Sequence, residues 1–140
     1  MHAVPILPVC FIPLTLHTSS SEIMDIESLR SYCLSLPEAE EGLPFGGDTL
    51  VFSVRGKMFC ATAIDHYEYI NVKCEPGNAI ELRERYEDVT PGFHMNKRHW
   101  NSIRTGTRIP NAQIREWIKD SYRLVVAGMP KKLREGLESV

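Results

Sequence analysis

The chain has 140 residues, 43% of them hydrophobic and 24% charged, with a formal net charge of −2. That length buries a core as one domain without disulfides or metal, and the composition excludes wholesale disorder. No apolar run approaches the ~20 residues that span a bilayer, and Cys10, Cys33, Cys60 and Cys74 form no CxxC or CxxH pair, so neither a thioredoxin motif nor a common zinc spacing is present.

In chain order, residues 1–23 come first. The segment is apolar but broken by Pro5, Pro8 and Pro13, and it has no Lys or Arg. It lacks the positive start and unbroken apolar centre of a secretory signal and is read as an N-terminal extension, with the domain over 24–140. A helix is expected from Ile26 to Leu36, capped by Asp25 and stopped by Pro37, with Ile26, Leu29, Cys33 and Leu36 inward. Glu38–Gly47 reads as an acidic loop. Leu50, Phe52 and Val54 alternate with Val51, Ser53 and Arg55, a strand pattern. Arg55-Gly56 turns the chain into a second strand at Lys57–Ile64, and a third follows at Tyr69–Cys74.

Pro76 suits the first turn of a helix to about Tyr86, supported by the Glu81/Arg85 pair. Val89–Asn96 and His99–Thr105 read as a hairpin. A longer helix runs from an Asn111 cap to Ala127, with Ile114, Trp117, Ile118, Tyr122 and Val125 inward. Gly128 ends it, and Pro130 opens a last short helix carrying Leu133 and Leu137. The expected order, αβββαββαα, describes an α+β domain: an antiparallel sheet of about five strands with helices packed on one face. The other face is then at least partly open.

The charge is unevenly spread. Residues 1–90 carry 14 acidic against 6 basic side chains, and residues 91–140 carry 4 against 10. Such asymmetry points to an anionic partner. The densest segment is PGFHMNKRHWNSIRTG, residues 91–106, which groups Lys97, Arg98, His99, Trp100 and Arg104. Arg115, Lys119 and Arg123 follow at i, i+4 and i+8 and form a basic stripe on the long helix. Lys73 projects from the third strand with Tyr69 and Asn71. These nine cations and rings are the candidate nucleic-acid contacts: the cations would neutralise phosphates while Trp100 or His99 packs on a base or sugar. The structural alternative makes Trp100 a core anchor and the stripe an ordinary solvated helix face.

Several separated motifs also resemble a known family. LPEAE after the first helix, GKMFC, NVKCEP, PGFHMNKRHWNSI and DSYRLVVAGMPKKLRE are similar, in this order, to the MmcQ/YjbR family. The resemblance covers Met24 to Val140. It implies a CyaY-like fold, akin also to a "double wing" DNA-binding domain, and members are commonly labelled DNA-binding. Frataxin-type iron binding would need a ridge of carboxylates, and the first helix offers only Asp25 and Glu27.

No catalytic residue, metal ligand set or cofactor is expected, because HExxH, P-loop, GxSxG and Cys-His signatures are all missing. The leading expectation is a non-enzymatic, cytoplasmic DNA-binding domain using the basic C-terminal surface. The alternative is an adaptor that receives an acidic protein partner. A third reading, a ligand-binding domain or enzyme, would use His94, His99 and Cys60.

Overall fold

A computed structural model describes residues 24–137 of the chain, so the expected extension over 1–23 lies outside the described residues. Helix α1 spans Ile26–Ser35, and the Asp25 carboxylate accepts the Ser28 N–H at 2.7 Å, as its cap position requires. Strands β1 (Ala39–Gly42), β2 (Thr49–Val54), β3 (Lys57–Ala63) and β4 (Tyr69–Lys73) follow. Helix α2 (Pro76–Arg85), strands β5 (Val89–Pro91) and β6 (Trp100–Arg104), and helices α3 (Asn111–Ala127) and α4 (Lys131–Arg134) complete the order. Among the described residues six strands form one sheet, β1-β2-β3-β4-β6-β5, in which every neighbouring pair is antiparallel. This is the expected α+β architecture with one strand more than expected.

The extra strand is β1, within the segment read as an acidic loop. Ala39–Gly42 pairs with Val54–Val51 along its whole length. As an edge strand with both glutamates exposed it carries no apolar alternation, the signal by which strands are recognised. Glu41 reaches α1, where Arg30 grips its carboxylate at 2.6 and 2.8 Å. The expected hairpin over 89–105 is also shorter than its pattern, because residues 92–99 fold into a turn of their own. Asn111 is the first helical residue of α3 and Pro110 takes the cap position. Leu137 is buried beyond α4, whereas Leu133 is exposed.

The meander β2-β3-β4 turns at Arg55-Gly56, whose φ angles of 47° and 83° match a two-residue hairpin turn. A bulge sets Phe52 opposite Cys60 but Ser53 opposite Met58, so Phe59 is the additional residue. Phe59 is thereby buried in the core, where Tyr122 meets it edge-on at 5.3 Å. Leu29 and Cys33 of α1, Leu82 of α2, and Ile114, Ile118 and Tyr122 of α3 share that core with Phe52, Val72 and Ile103 of the sheet. Ser121 of α3 bridges the end of the β3–β4 ladder, accepting the Lys73 N–H at 2.8 Å and donating to the Phe59 carbonyl at 2.6 Å. Among the described residues the helices therefore cover one sheet face, and no helix covers the other.

Candidate functional site

Register decides what the uncovered face carries. Val51 pairs with Ala61, Ala61 with Asn71 and Asn71 with Ser102, so these four share one face. Tyr69 and Arg104 lie beside them on the same side. Ala61 and Ala63 are too short to fill the space above the central strands. The result is a cleft of about 410 Å³, floored by Ala61, Ala63 and Asn71 and walled by Phe45, Phe93 and His94. His66 and Asp48 also border it. Phe45 and Phe93 are 71% and 60% exposed, a costly placement for rings that ordinarily seek the core.

Phe93 is held in place by polar contacts. Its N–H donates to the Ser102 hydroxyl at 2.8 Å, and that hydroxyl donates in turn to the Asn71 side-chain oxygen. The Phe93 ring stacks on Tyr69 at 6.4 Å and 22°, and the His94 ring lies 4.1 Å from it. Arg104 closes the row, 5.2 Å above the Tyr69 ring, with its guanidinium donating to the Tyr69 hydroxyl at 3.0 Å. The row Arg104–Tyr69–Phe93–His94 thus places a cation and three rings along an open sheet.

The turn over 92–99 is built to present these rings. Gly92 admits no side chain, because a Cβ there would sit 2.7 Å from Trp100 Cβ. His94 takes a left-handed φ of 59°, uncommon outside glycine though less so for histidine. The Lys97 ammonium donates to the Gly92 carbonyl at 2.8 Å, and Asn96 accepts the Arg98 N–H at 2.9 Å. From α2, Arg83 donates to the buried Asn101 side chain at 2.7 Å and to the Lys97 carbonyl.

The nine candidate contacts do not gather into one basic surface. Lys97 and Arg98 are exposed on the turn, with the Lys97 ammonium already engaged there. Trp100 is only 9% exposed, so its ring is a packing element, and its chain neighbour His99 is half-buried. Arg104 stands on the open face. Lys73 follows Tyr69 and Asn71 by alternation and pairs with Trp100, so it lies at the end of the open-face row, while its backbone N–H meets α3. Arg123 borders a separate groove of about 430 Å³ between the β4–α2 junction and α3, together with Glu75 and Asp120. Arg115 borders a third depression beside α1 with Asp25 and Glu27. Lys119 is half-buried on α3.

Nor do His94, His99 and Cys60 meet. Cys60 is fully buried on the helix side of the sheet, while His94 borders the cleft on the opposite side. Burial raises the Cys33 thiol pKa, and pushes that of Cys74 up to about 11, so both stay protonated at neutral pH. Among the described residues no group of three His, Cys, Asp or Glu side chains is placed to hold a metal, and no helix is long and apolar enough to cross a membrane. Sequence reasoning missed Phe45 and Phe93. The available signal was a large aromatic inside a turn rich in Gly and Pro, at LPFGG and PGFH.

Fold and cleft together define a two-layer α+β domain, with helices on one sheet face and exposed aromatics on the other. The YjbR family model matches residues 34–124, and the chain belongs to that family. It is 36% identical to YbdF of Escherichia coli O157:H7 over 107 residues, covering 76% of this chain and 88% of that protein. It is 27% identical to YjbR of Escherichia coli K12, covering 80% and 96%. The crystal structure of Deinococcus radiodurans DR2400, a DUF419 domain, superposes with a TM-score of 0.78 at 31% identity, covering 89% of this chain and 96% of that one. A Pseudomonas syringae protein, 21% identical with a TM-score of 0.64 over 73% of this chain and 99% of its own, shares the fold.

Proposed function

We propose that this domain binds nucleic acid without catalysing a reaction, and that it lays an unpaired segment across the open sheet face. The observation that carries the reading is the Arg104–Tyr69–Phe93–His94 row. Bases of any sequence stack on such rings, each worth roughly 1–3 kcal/mol, and nearby cations take the phosphates. Arg104 on the face and Arg98 on the adjoining turn are suited to that work. The helix stripe of Arg115, Lys119 and Arg123 plays no part, and Trp100 supports the turn. Three buried free thiols, Cys33, Cys60 and Cys74, favour a reducing, cytoplasmic setting.

Anisotropy titrations of labelled single-stranded and duplex DNA at two salt concentrations test this. The single strand should bind more tightly, and Phe93→Ala should weaken it by about 5- to 150-fold, the stacking range expressed as affinity. Replacing Arg98 and Arg104 together by Ala should flatten the log–log salt slope by about 1.4, at roughly 0.7 per phosphate on a single strand. No binding of either form at low salt overturns the proposal and leaves the acidic-partner reading. Duplex binding lost on replacing Arg115 and Lys119, but not Phe93, moves the site to the helix stripe.

A further inference from the structure

We infer that the cleft on the open face is a pocket for a single nucleobase, inserted between Phe45 and Phe93 above the alanine floor. This deepens the nucleic-acid reading and rests on it. Stacking along the row needs only Tyr69, Phe93 and His94; it does not require a hollow, or a second exposed phenyl ring at its edge. Yet Phe45, from the β1–β2 loop, borders the same cleft as Phe93, from the β5–β6 turn, although these loops belong to opposite ends of the sheet order. Two aromatic walls over a floor of methyl groups suit a flat ring.

The floor also carries a fixed polar group. The Ser102 hydroxyl accepts the Phe93 N–H, so its own hydrogen goes to the Asn71 oxygen. That contact sets the Asn71 amide with its NH2 as the group left for a ligand, a donor for the carbonyl or ring nitrogen of a base. Asp48 and the two imidazoles, His66 and His94, supply further polar edges at the border. Asp48 is the acidic residue at the border, so the phosphate of the inserted nucleotide would lie on the other side, toward Arg104, which stands over the Tyr69 ring on the same sheet face.

The test uses the full chain with the four deoxynucleoside monophosphates as probes and deoxyribose 5-phosphate as the baseless control, followed by NMR of the Ala61 and Ala63 methyls and the Asn71 NH2. Saturable shifts at these three with at least one mononucleotide, and none with the control, are expected. Ala61→Leu, which fills the floor, should abolish the Ala63 response, and Phe45→Ala, at an exposed loop position that leaves the fold intact, should weaken binding at least about fivefold. If the control shifts the same signals, the cleft binds phosphate and the inference fails. If an oligonucleotide binds through Phe93 while no mononucleotide reaches Ala61 or Ala63, the pocket is overturned and the nucleic-acid reading stands. Mononucleotide binding without oligonucleotide binding keeps the pocket and overturns that reading, making this a receptor for free nucleotides.

Discussion

Gly92 carries more of the site than its size suggests. An alanine methyl there would sit 2.7 Å from Trp100 Cβ and 3.0 Å from the Trp100 carbonyl oxygen, so Gly92→Ala must push the end of β5 away from β6. An overpacking cost of about 1–3 kcal/mol is expected in urea unfolding, with loss of the Phe93 position. Asn101 is comparably constrained: it is fully buried, accepts from Arg83 and donates to the Ala79 carbonyl at 3.3 Å. Asn101→Leu leaves the Arg83 Nε–H without its acceptor and should cost about 1–3 kcal/mol on the same measurement. The cysteines give a chemical test. In a Cys10→Ser background, native protein should react slowly with a thiol reagent at pH 8, and denatured protein should release the three buried thiols at once.

Among the elements, β1 and the C-terminal turn are fastened by arginine contacts in addition to the apolar burial of Ala39 and Leu137. Arg55 binds the Glu38 carboxylate at 2.6 and 2.9 Å and donates to the Leu133 and Glu135 carbonyls at 2.6 and 2.9 Å. Arg30 holds Glu41 in the same way. Hydrogen bonds from these guanidinium groups keep both carboxyl pKa values below their ordinary 4.5. A depressed carboxylate pKa stabilises the folded state above about 4.5 and stops doing so as pH falls through the lowered value. The melting temperature should therefore be flat from pH 7 to 5 and decline below about pH 4. The Glu38→Gln, Glu41→Gln double variant should melt lower at pH 7 and lose part of that decline. Strand β1 was illegible in the sequence because its own residues AEEG show no period, and because Arg30, which holds Glu41, belongs to a different element.

For the whole molecule, the domain boundary is testable by truncation. Met24 is buried, and its carbonyl accepts the Tyr67 hydroxyl at 2.6 Å. A chain starting at Met24 should unfold in one cooperative transition by calorimetry. Starting instead at Ile26 removes the Met24 side chain and the Asp25 cap, and should cost a further ~2–5 kcal/mol, the range for emptying a large buried site. The charge asymmetry between residues 1–90 and 91–140 is a property of the chain order, and folding disperses it. Arg123 borders one groove and Arg115 another, while Lys73 and Arg104 fall on the open sheet face.

The sequence by itself determined the meander, the three longer helices and the inward residues of α1 and α3, because half-buried strands and amphipathic helices print their periods of two and 3.6 onto the chain. Leu50, Phe52 and Val54, or Ile114, Ile118 and Tyr122, need no partner to be recognised. It also marked residues 91–106 as unusual. The tertiary structure alone decided which rings stay outside. Phe45 and Phe93 have the character of core residues, and Trp100 that of a stacking platform, yet the first two are exposed and the third is buried. The reason is register: pairing Ala61 with Asn71 and Asn71 with Ser102 builds the hollow and its anchor from three strands whose side chains meet only after the sheet has formed.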